Sequence, residues 1–440
     1  VGAIVAEAVA LADELGKVSL GEITDDFNRA RQNLAGTPPV QAENRGGEST
    51  LGNLVADVQL WATQDVGTDI AFMNPGGLRA NLTYASSGPE DPDGNVTYRE
   101  AATVQSFANT LVTMSLTGDQ VVSVLEEQWQ PAGASRPFLK LGVAGLTYTY
   151  DPTAAAGERI TDVRVGDTPL DPAASYRVVA NSFLASGGDN FLTLGAGADK
   201  RDSGRVDLQA FVDYLAEFSP VSPDLAQRAV GVHLDQPPAD GYLPGDTATV
   251  NLSSLLFSAG EPQEGAEVTL SIDGTEVGTY PIDPTIVDTT DEVGRATAAF
   301  TLPEGLTGES VEVVGTVSVT GTEFRFDLPL AEAAPPTCTV RYDSVRIFRT
   351  FIGIVSVSND TDATVEDWEL TWDYTQGERV LTGIGAKVKQ QGVSVTAEGK
   401  RWNADLEAGD SATFGLIGQA RSGTGTPTGF ELNGMPCATE

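Results

Sequence analysis

Phe107 and Phe183 each sit in a short segment with the composition of a ligand loop. The segments read Gln105-Ser106-Phe107-Ala108-Asn109-Thr110 and Asn181-Ser182-Phe183-Leu184-Ala185-Ser186-Gly187-Gly188-Asp189-Asn190. Two aromatic rings held on loops can clamp a planar base between their faces, a contact that contributes about 1–3 kcal/mol per ring. Nearby amides and carboxylates can then bond sugar hydroxyls. Two more segments carry suitable groups: Arg45 to Asp57, reading R-G-G-E-S-T-L-G-N-L-V-A-D, and the turn Asn74-Pro75-Gly76-Gly77-Leu78-Arg79. Glycine lets a backbone approach a ligand closely. An Asn amide and an Arg fork can orient a sugar, a phosphate or a base edge.

These residues need a scaffold, and hydrophobic periodicity supplies its outline. Ser49 to Thr63 reads as a helix, with Leu51, Leu54, Val55, Val58, Leu60 and Trp61 at helical spacing. Asp69 to Met73 is a short buried strand running into the Asn74 turn. Leu111 to Leu116 reads as a strand, and Thr117-Gly118-Asp119-Gln120 fits a capping box opening the next helix. Leu146 to Tyr150 and Tyr176 to Ala180 alternate as strands, and a helix at Ala210 to Ala216 closes the segment. Residues 41–235 are therefore a mixed α+β, or α/β, domain. Before them, residues 1–16 carry a helical stripe (Val1, Ile4, Val5, Ala8, Val9, Ala12, Leu15) that needs a neighbour to bury it. With the extended stretch to residue 40 they form a linker segment. Residues 236–335 lose the helix signals. Runs such as Ala248–Leu252, Glu267–Ile272, Ala296–Leu302 and Val311–Val319 suggest an immunoglobulin-like β-sandwich spacer. Residues 338–437 are again all β, after an Ala331 to Pro336 linker. The fold class is multidomain: an α+β domain followed by two β-sandwich domains.

Composition narrows the function classes. The 440 residues suggest about two to four domains. The balance of 26 basic against 62 acidic residues gives −36. That charge argues against nucleic acid polymers and anionic membranes as partners, and a phosphate ligand needs a local Arg cluster against the global field. No apolar run reaches ~18 residues, so no membrane span is expected. The only cysteines, Cys338 and Cys437, read as one disulfide closing a loop of about 100 residues, contributing about 4–5 kcal/mol. The alternative is two buried thiols. A disulfide implies a secreted, extracellular or cell-surface location. The chain starts at Val1 without a signal peptide, so sequence is expected upstream.

The order of four motifs makes residues 41–235 resemble the C-terminal substrate-binding domain of the secreted 5′-nucleotidases. Gly52-Asn53-Leu54-Val55-Ala56-Asp57 matches that family's GN-(L/V)-x-A-D helix. Asn74 and Arg79 match its NGGGxR turn, with Pro75 for the first Gly. Phe107 and Asn109 match a PFGN loop, with Ser106 for Pro and Ala108 for Gly. Phe183, Gly187, Gly188 and Asp189 match an NFxAxGGDG(F/Y) loop, with Asn190 for Gly and Phe191 for the aromatic. The resemblance implies that Phe107 and Phe183 stack on the base and that Asn109 bonds its edge. Asp189 would accept from ribose hydroxyls, and Arg45 and Arg79 would hold the ribose or phosphate side. The ligand would be a nucleoside monophosphate or a related small phosphoester. The family's other half, an N-terminal metallophosphoesterase domain, binds two divalent metals such as Mn or Zn through several Asp, His and Asn ligands. This chain has a single His, His233. No catalytic residue, metal site or cofactor is therefore expected here, and the chain by itself should bind nucleosides and hydrolyse nothing.

Residues 338–437 resemble a family-2 carbohydrate-binding module. The resemblance rests on Cys338, Val340, Tyr342, Phe351, Asn359, Asp367-Trp368, Trp372, Arg401-Trp402-Asn403, Glu407-Ala408-Gly409, Phe414-Gly415, Leu432-Asn433-Gly434 and Cys437. Such modules bind polysaccharide through three coplanar Trp rings. Here only Trp402 matches, as the one candidate carbohydrate contact. The other two positions fall at Ile347 or Phe348 and at Ile384, while Trp368 and Trp372 fall at core positions. Cell wall or polysaccharide is the implied partner, and tight cellulose binding is not expected. A second reading of the whole chain is a non-catalytic surface, adhesive or filament protein that keeps the nucleotidase-like domain as scaffold.

Overall fold

The computed structural model describes the chain except for residues 1–8, 10, 11, 35, 37–39, 89, 90, 261, 262, 264, 287–292, 332–336 and 421–424. It divides into two compact units, Val1–Glu332 and Ala333–Glu440. Most of the expected terminal helix and of the Ala331 to Pro336 linker lies outside the described residues. Residues 12–16 are helical, yet Val9 and Leu15 are exposed, so neither is buried against a neighbouring element.

The first unit is built around a five-stranded sheet in the order Ala198–Val206, Thr110–Thr117, Ser175–Asn181, Ile70–Met73, Gly142–Ala144. Period-2 alternation divides its central strands between two cores. Ile70, Phe72, Val178 and Ala180 pack with Val121, Val124 and Leu125 of helix Gly118–Glu126. Ala71, Met73 and Val179 face the other way, toward Leu51, Leu54, Val55 and Val58 of helix Thr50–Ala62 and Phe211 and Leu215 of helix Asp207–Phe218. The capping box at Thr117 forms as expected, with reciprocal bonds to Gln120. A second capping box at Thr97 and Glu100 opens helix Tyr98–Val104, an element missing from the periodicity reading.

Helix Thr50–Ala62 approaches strand Gly142–Ala144 backbone to backbone. A Cβ on Gly142 would lie 2.3 Å from the Gly52 carbonyl oxygen, so this contact requires glycine at 142. An ionic cluster secures the same helix. Arg228 donates to both carboxylate oxygens of Asp57 (2.7 and 2.8 Å) and to the Val143 carbonyl (2.6 Å). Buried Glu48 accepts from the backbone amides of Arg228 (2.9 Å) and Ala229 (3.1 Å) and from Asn53 Nδ2 (2.7 Å). Burial pushes the Asp57 carboxyl above its ordinary range, against the pull of Arg228. Asn53 and Asp57 of the GN-(L/V)-x-A-D motif are thus packing residues.

A second, six-stranded sheet runs Thr168–Pro169, Ile160–Val165, Leu146–Tyr150, Ala229–Leu234, Thr247–Ser253, Ala296–Thr301. Its last two strands come from the 236–335 segment and continue the ladder through Gly231↔Ser253 to Leu234↔Val250. The other face of that segment's core is a four-stranded sheet, Thr275–Pro281, Glu267–Ile272, Ser310–Val317, Glu323–Pro329. Val230 and Val232 join the same core as Val250, Val268, Val313 and Phe326. The segment is a β-sandwich as expected, and one of its sheets is shared with the preceding strands.

The second unit stacks two five-stranded sheets. Trp368 and Trp372 are core residues, packed on Phe414 and Phe430, and Trp368 Nε1 donates to the Asn403 carbonyl (2.6 Å). Cys338 and Cys437 are joined, with their Cα atoms 4.6 Å apart.

Two stability tests follow from these contacts. Arg228→Ala is expected to destabilise the first unit by about 3 kcal/mol, the low end for a broken buried pair, because Asp57 keeps part of its surface in water. Denaturant unfolding followed by far-ultraviolet circular dichroism measures it, and an unchanged midpoint contradicts it. Replacing Cys338 and Cys437 together by Ser is expected to destabilise the second unit by about 4 kcal/mol. Tryptophan fluorescence of buried Trp368 and Trp372 reports that transition.

Candidate functional site

Strand direction explains why distant segments meet. Ser175–Asn181 runs parallel to Ile70–Met73 and antiparallel to Thr110–Thr117. The C-terminal ends of the first two strands and the N-terminal end of the third therefore share one edge of the sheet, where ligands of such sheets commonly sit. Asn74, Ser182 and Asn109 are the residues that follow or precede those ends. Arg45, Asn74, Gly76, Gly77, Phe107, Asn109, Phe183 and Asp189 line a single cavity of about 260 Å³ there. Phe107 is 57% exposed and Phe183 45% exposed, while Phe191 is fully buried. Large apolar rings left in solvent beside a polar cavity are not core residues and make the cavity a candidate ligand site.

The polar groups are held by one another. Asn181 Nδ2 donates to Asn74 Oδ1 (3.0 Å), and Asn74 Nδ2 donates to Asp189 Oδ2 (2.8 Å). Asn181 Oδ1 also accepts from the Leu184 amide, capping the short helix Ser182–Ala185. Phe183 is therefore on a helical turn, where a loop was expected, because an Asn directly before Ser182 is a strong N-cap. Asn109 is engaged at both ends of its amide. Its Nδ2 donates to buried Asp207 (3.3 Å) and its Oδ1 accepts from Ser182 Oγ (3.1 Å). It is a strut between the two Phe segments, and one N–H remains for a ligand. Burial pushes the Asp207 carboxyl up, opposed by its bonds from Leu208 and Asn109.

Each ring also has a backing. The Arg79 guanidinium carbon lies 5.7 Å from the Phe107 centroid and its Nη1 donates to the Gly76 carbonyl (3.4 Å). Arg79 thus contacts the ring from outside the cavity lining, whereas Arg45 is in the lining and is paired with Glu43 (3.4 Å). A Cβ on Gly188 would lie 2.5 Å from Phe183 Cε1, so the Phe183 ring rests against that backbone. Gly187 (φ 87) and Asp189 (φ 55) are both left-handed, which turns the chain so that the Asp189 carboxylate enters the cavity. Gly187 and Gly188 shape the loop without lining it.

The supports of that loop escaped sequence reading. Lys200 Nζ donates to the carbonyls of Ala185 (2.5 Å) and Gly195 (2.6 Å), bridging both ends. Glu127 accepts from the Thr193 amide (3.0 Å) and Oγ1 (2.9 Å), and Asn190 donates to Gln130 (2.7 Å). Asp207 lies 98 positions from Asn109, and no local pattern links them. Only Asn181-Ser182 carried a readable signal, as a helix cap. His233 stands apart from the cavity, bonded through Nδ1 to Asp151 (3.1 Å) and Thr153 (3.0 Å). Among the described residues no three His, Cys, Asp or Glu side chains converge as a metal site. In the second unit Trp402 is 72% exposed, and Ile347, Phe348 and Ile384 are exposed too.

Comparison with known proteins agrees with both sets of motifs. Residues 22–196 match the model of the 5′-nucleotidase C-terminal domain, and residues 338–437 match that of the cellulose binding domain. A 5′-nucleotidase-related protein of Glossina morsitans morsitans is 31% identical over 207 residues, 43% of this chain and 36% of that protein. The cell wall protein Lmo0130 of Listeria monocytogenes is 30% identical over 175 residues, 39% of this chain and 21% of that protein. Exoglucanase A of Cellulomonas fimi is 39% identical over 101 residues, 23% of this chain and 12% of that protein. The chain thus spans little more than a third of the length of the first of these relatives and less of the others. The two matches fall on separate segments: residues 22–196 are similar to 5′-nucleotidase C-terminal domains, and residues 338–437 to cellulose-binding domains.

Proposed function

We propose that the cavity binds the nucleoside part of a nucleoside monophosphate or a related small phosphoester. Phe107 and Phe183 take the two faces of the base. Asp189, oriented by Asn74, accepts from ribose hydroxyls, and the spare N–H of Asn109 reaches the base edge. Arg45, in the lining, stands on the ribose or phosphate side, while Arg79 backs the Phe107 ring. The observation that carries this reading is the pair of exposed rings lining one cavity with a hydrogen-bonded Asn–Asp pair. Phosphate release then needs a divalent metal pair, Mn, Zn or similar, on an N-terminal metallophosphoesterase domain outside these residues. The disulfide and the cell-wall relative support a secreted or cell-surface location. The second unit contributes a weak sugar contact through Trp402, since Ile makes a poor stacking platform where the family places flat rings.

Calorimetric titration of adenosine and AMP tests the pocket. Phe107→Ala and Phe183→Ala are each expected to weaken both ligands by about tenfold or more. Gly188→Ala, which displaces the Phe183 ring, is expected to act like Phe183→Ala. Absence of binding by the unaltered chain defeats the assignment. No phosphate release from AMP is expected from this chain with Mn²⁺ or Zn²⁺ supplied; turnover would place the catalytic site within these residues. Retention on microcrystalline cellulose is expected to be lost in a high-salt wash, and tight retention would restore the second unit as a cellulose anchor.

A further inference from the structure

The outer face of one sheet in the second unit carries a patch of apolar side chains. Its strands are Cys338–Ile347, Thr350–Asn359, Ser411–Gln419 and Arg379–Ile384, and directly paired residues of antiparallel strands share a face. The register reads in rows. One row is Ile347, Thr350, Gln419, Arg379. The next is Val345, Ile352, Ile417, Thr382, and the third is Asp343, Ile354, Gly415, Ile384. Beyond it Arg341, Ser356 and Thr413 return to polar side chains. Val345, Ile352, Ile354 and Ile384 are each about half or more exposed. Phe348, in the turn between the first two strands, is 92% exposed and left-handed (φ 56), where a hairpin favours glycine. A left-handed residue with a side chain costs about 1–2 kcal/mol. Contiguous apolar surface of this kind marks an interaction face.

The corners of the block identify what covers it. Ile347, with Phe348 beside it, and Ile384 occupy one diagonal; Arg379 and Asp343 occupy the other. The block is nearly square, three strand gaps of about 4.8 Å by four residue rises of about 3.4 Å. A second copy laid face to face about a twofold axis along the first diagonal places each apolar corner against its own copy. The same operation sets Arg379 of each copy opposite the partner's Asp343, whose carboxylate also accepts from Arg341 of its own strand (2.9 Å). The strands then cross near a right angle, one of the two ways sheets pack. We propose that this face is a twofold interface between two copies of the chain. Bulk charge opposes it little. Residues 333–440 hold nine Lys and Arg against fourteen Asp and Glu, −5 of the total −36. More distant charge is screened over about 8 Å at physiological ionic strength.

Sedimentation velocity of the full chain tests the proposal, with dimer expected at concentrations up to about 100 μM. Ile352→Asp with Ile354→Asp is expected to give monomer with unchanged thermal unfolding. Arg379→Asp and Asp343→Arg are each expected to weaken the dimer about tenfold, because every contact occurs twice in a twofold interface. The double variant is expected to recover it, which a merely sticky surface would not do. A monomer at all concentrations overturns the proposal, as does additive weakening in the double variant. So does loss of cellulose retention in Ile352→Asp with Ile354→Asp alongside unchanged sedimentation, which would make the face a sugar platform. None of these readings depends on the nucleoside site.

Discussion

Arg228 is where the first unit is tied together. Its guanidinium reaches Asp57 on helix Thr50–Ala62 and the Val143 carbonyl on the edge of the five-stranded sheet, while its own amide and that of Ala229 are held by Glu48. Strand Ala229–Leu234 belongs to the second sheet. One side chain therefore joins a helix and both sheets. A buried carboxylate such as Glu48 is tolerated because its oxygens are met by three N–H donors. The backbone contact between Gly52 and Gly142 sets how closely the helix sits, and the start of that helix sets where Arg45 enters the cavity. The site depends on this arrangement though none of its members but Arg45 lines it.

The cavity is organised so that its polar atoms restrain one another before any ligand arrives. Asn181 orients Asn74, which orients Asp189; Asp207 and Ser182 orient Asn109. Such chains reduce the ordering that binding would otherwise require. Both rings gain from the same economy: Phe183 rests on a glycine backbone, and Phe107 lies beside a guanidinium that is itself bonded to the Gly76 carbonyl. Ala108, beside Phe107, is left-handed (φ 51) where the resembled motif has glycine, so this chain places a strained residue next to an exposed ring of the cavity.

What could be read from the sequence was local or periodic. The helix at 50–62, the capping box at Thr117 and the short buried strand Ile70–Met73 each follow from residue types and spacing within a few positions, and each forms as expected. The motif residues of the cavity were legible through their family pattern, including Phe107, Phe183, Asn74 and Asp189. The network behind them was not. Asp207 to Asn109 and Lys200 to Ala185 are pairings created by the fold, and neither residue type nor local spacing announces them. The shared six-stranded sheet was hidden for a related reason. Periodicity names the strand Thr247–Ser253 but not its partner, so a change of composition at residue 236 looked like a boundary while the ladder crossed it.

Lys200 has one more consequence. It is one of only six lysines in the chain, it is exposed, and its ammonium holds both ends of the loop that carries Asp189. Any chemistry that consumes primary amines, such as coupling to an activated sensor surface, fluorophore labelling or reductive alkylation, would reach a handle on the pocket without touching the pocket. Attachment through carboxylates, which are abundant, leaves that staple whole.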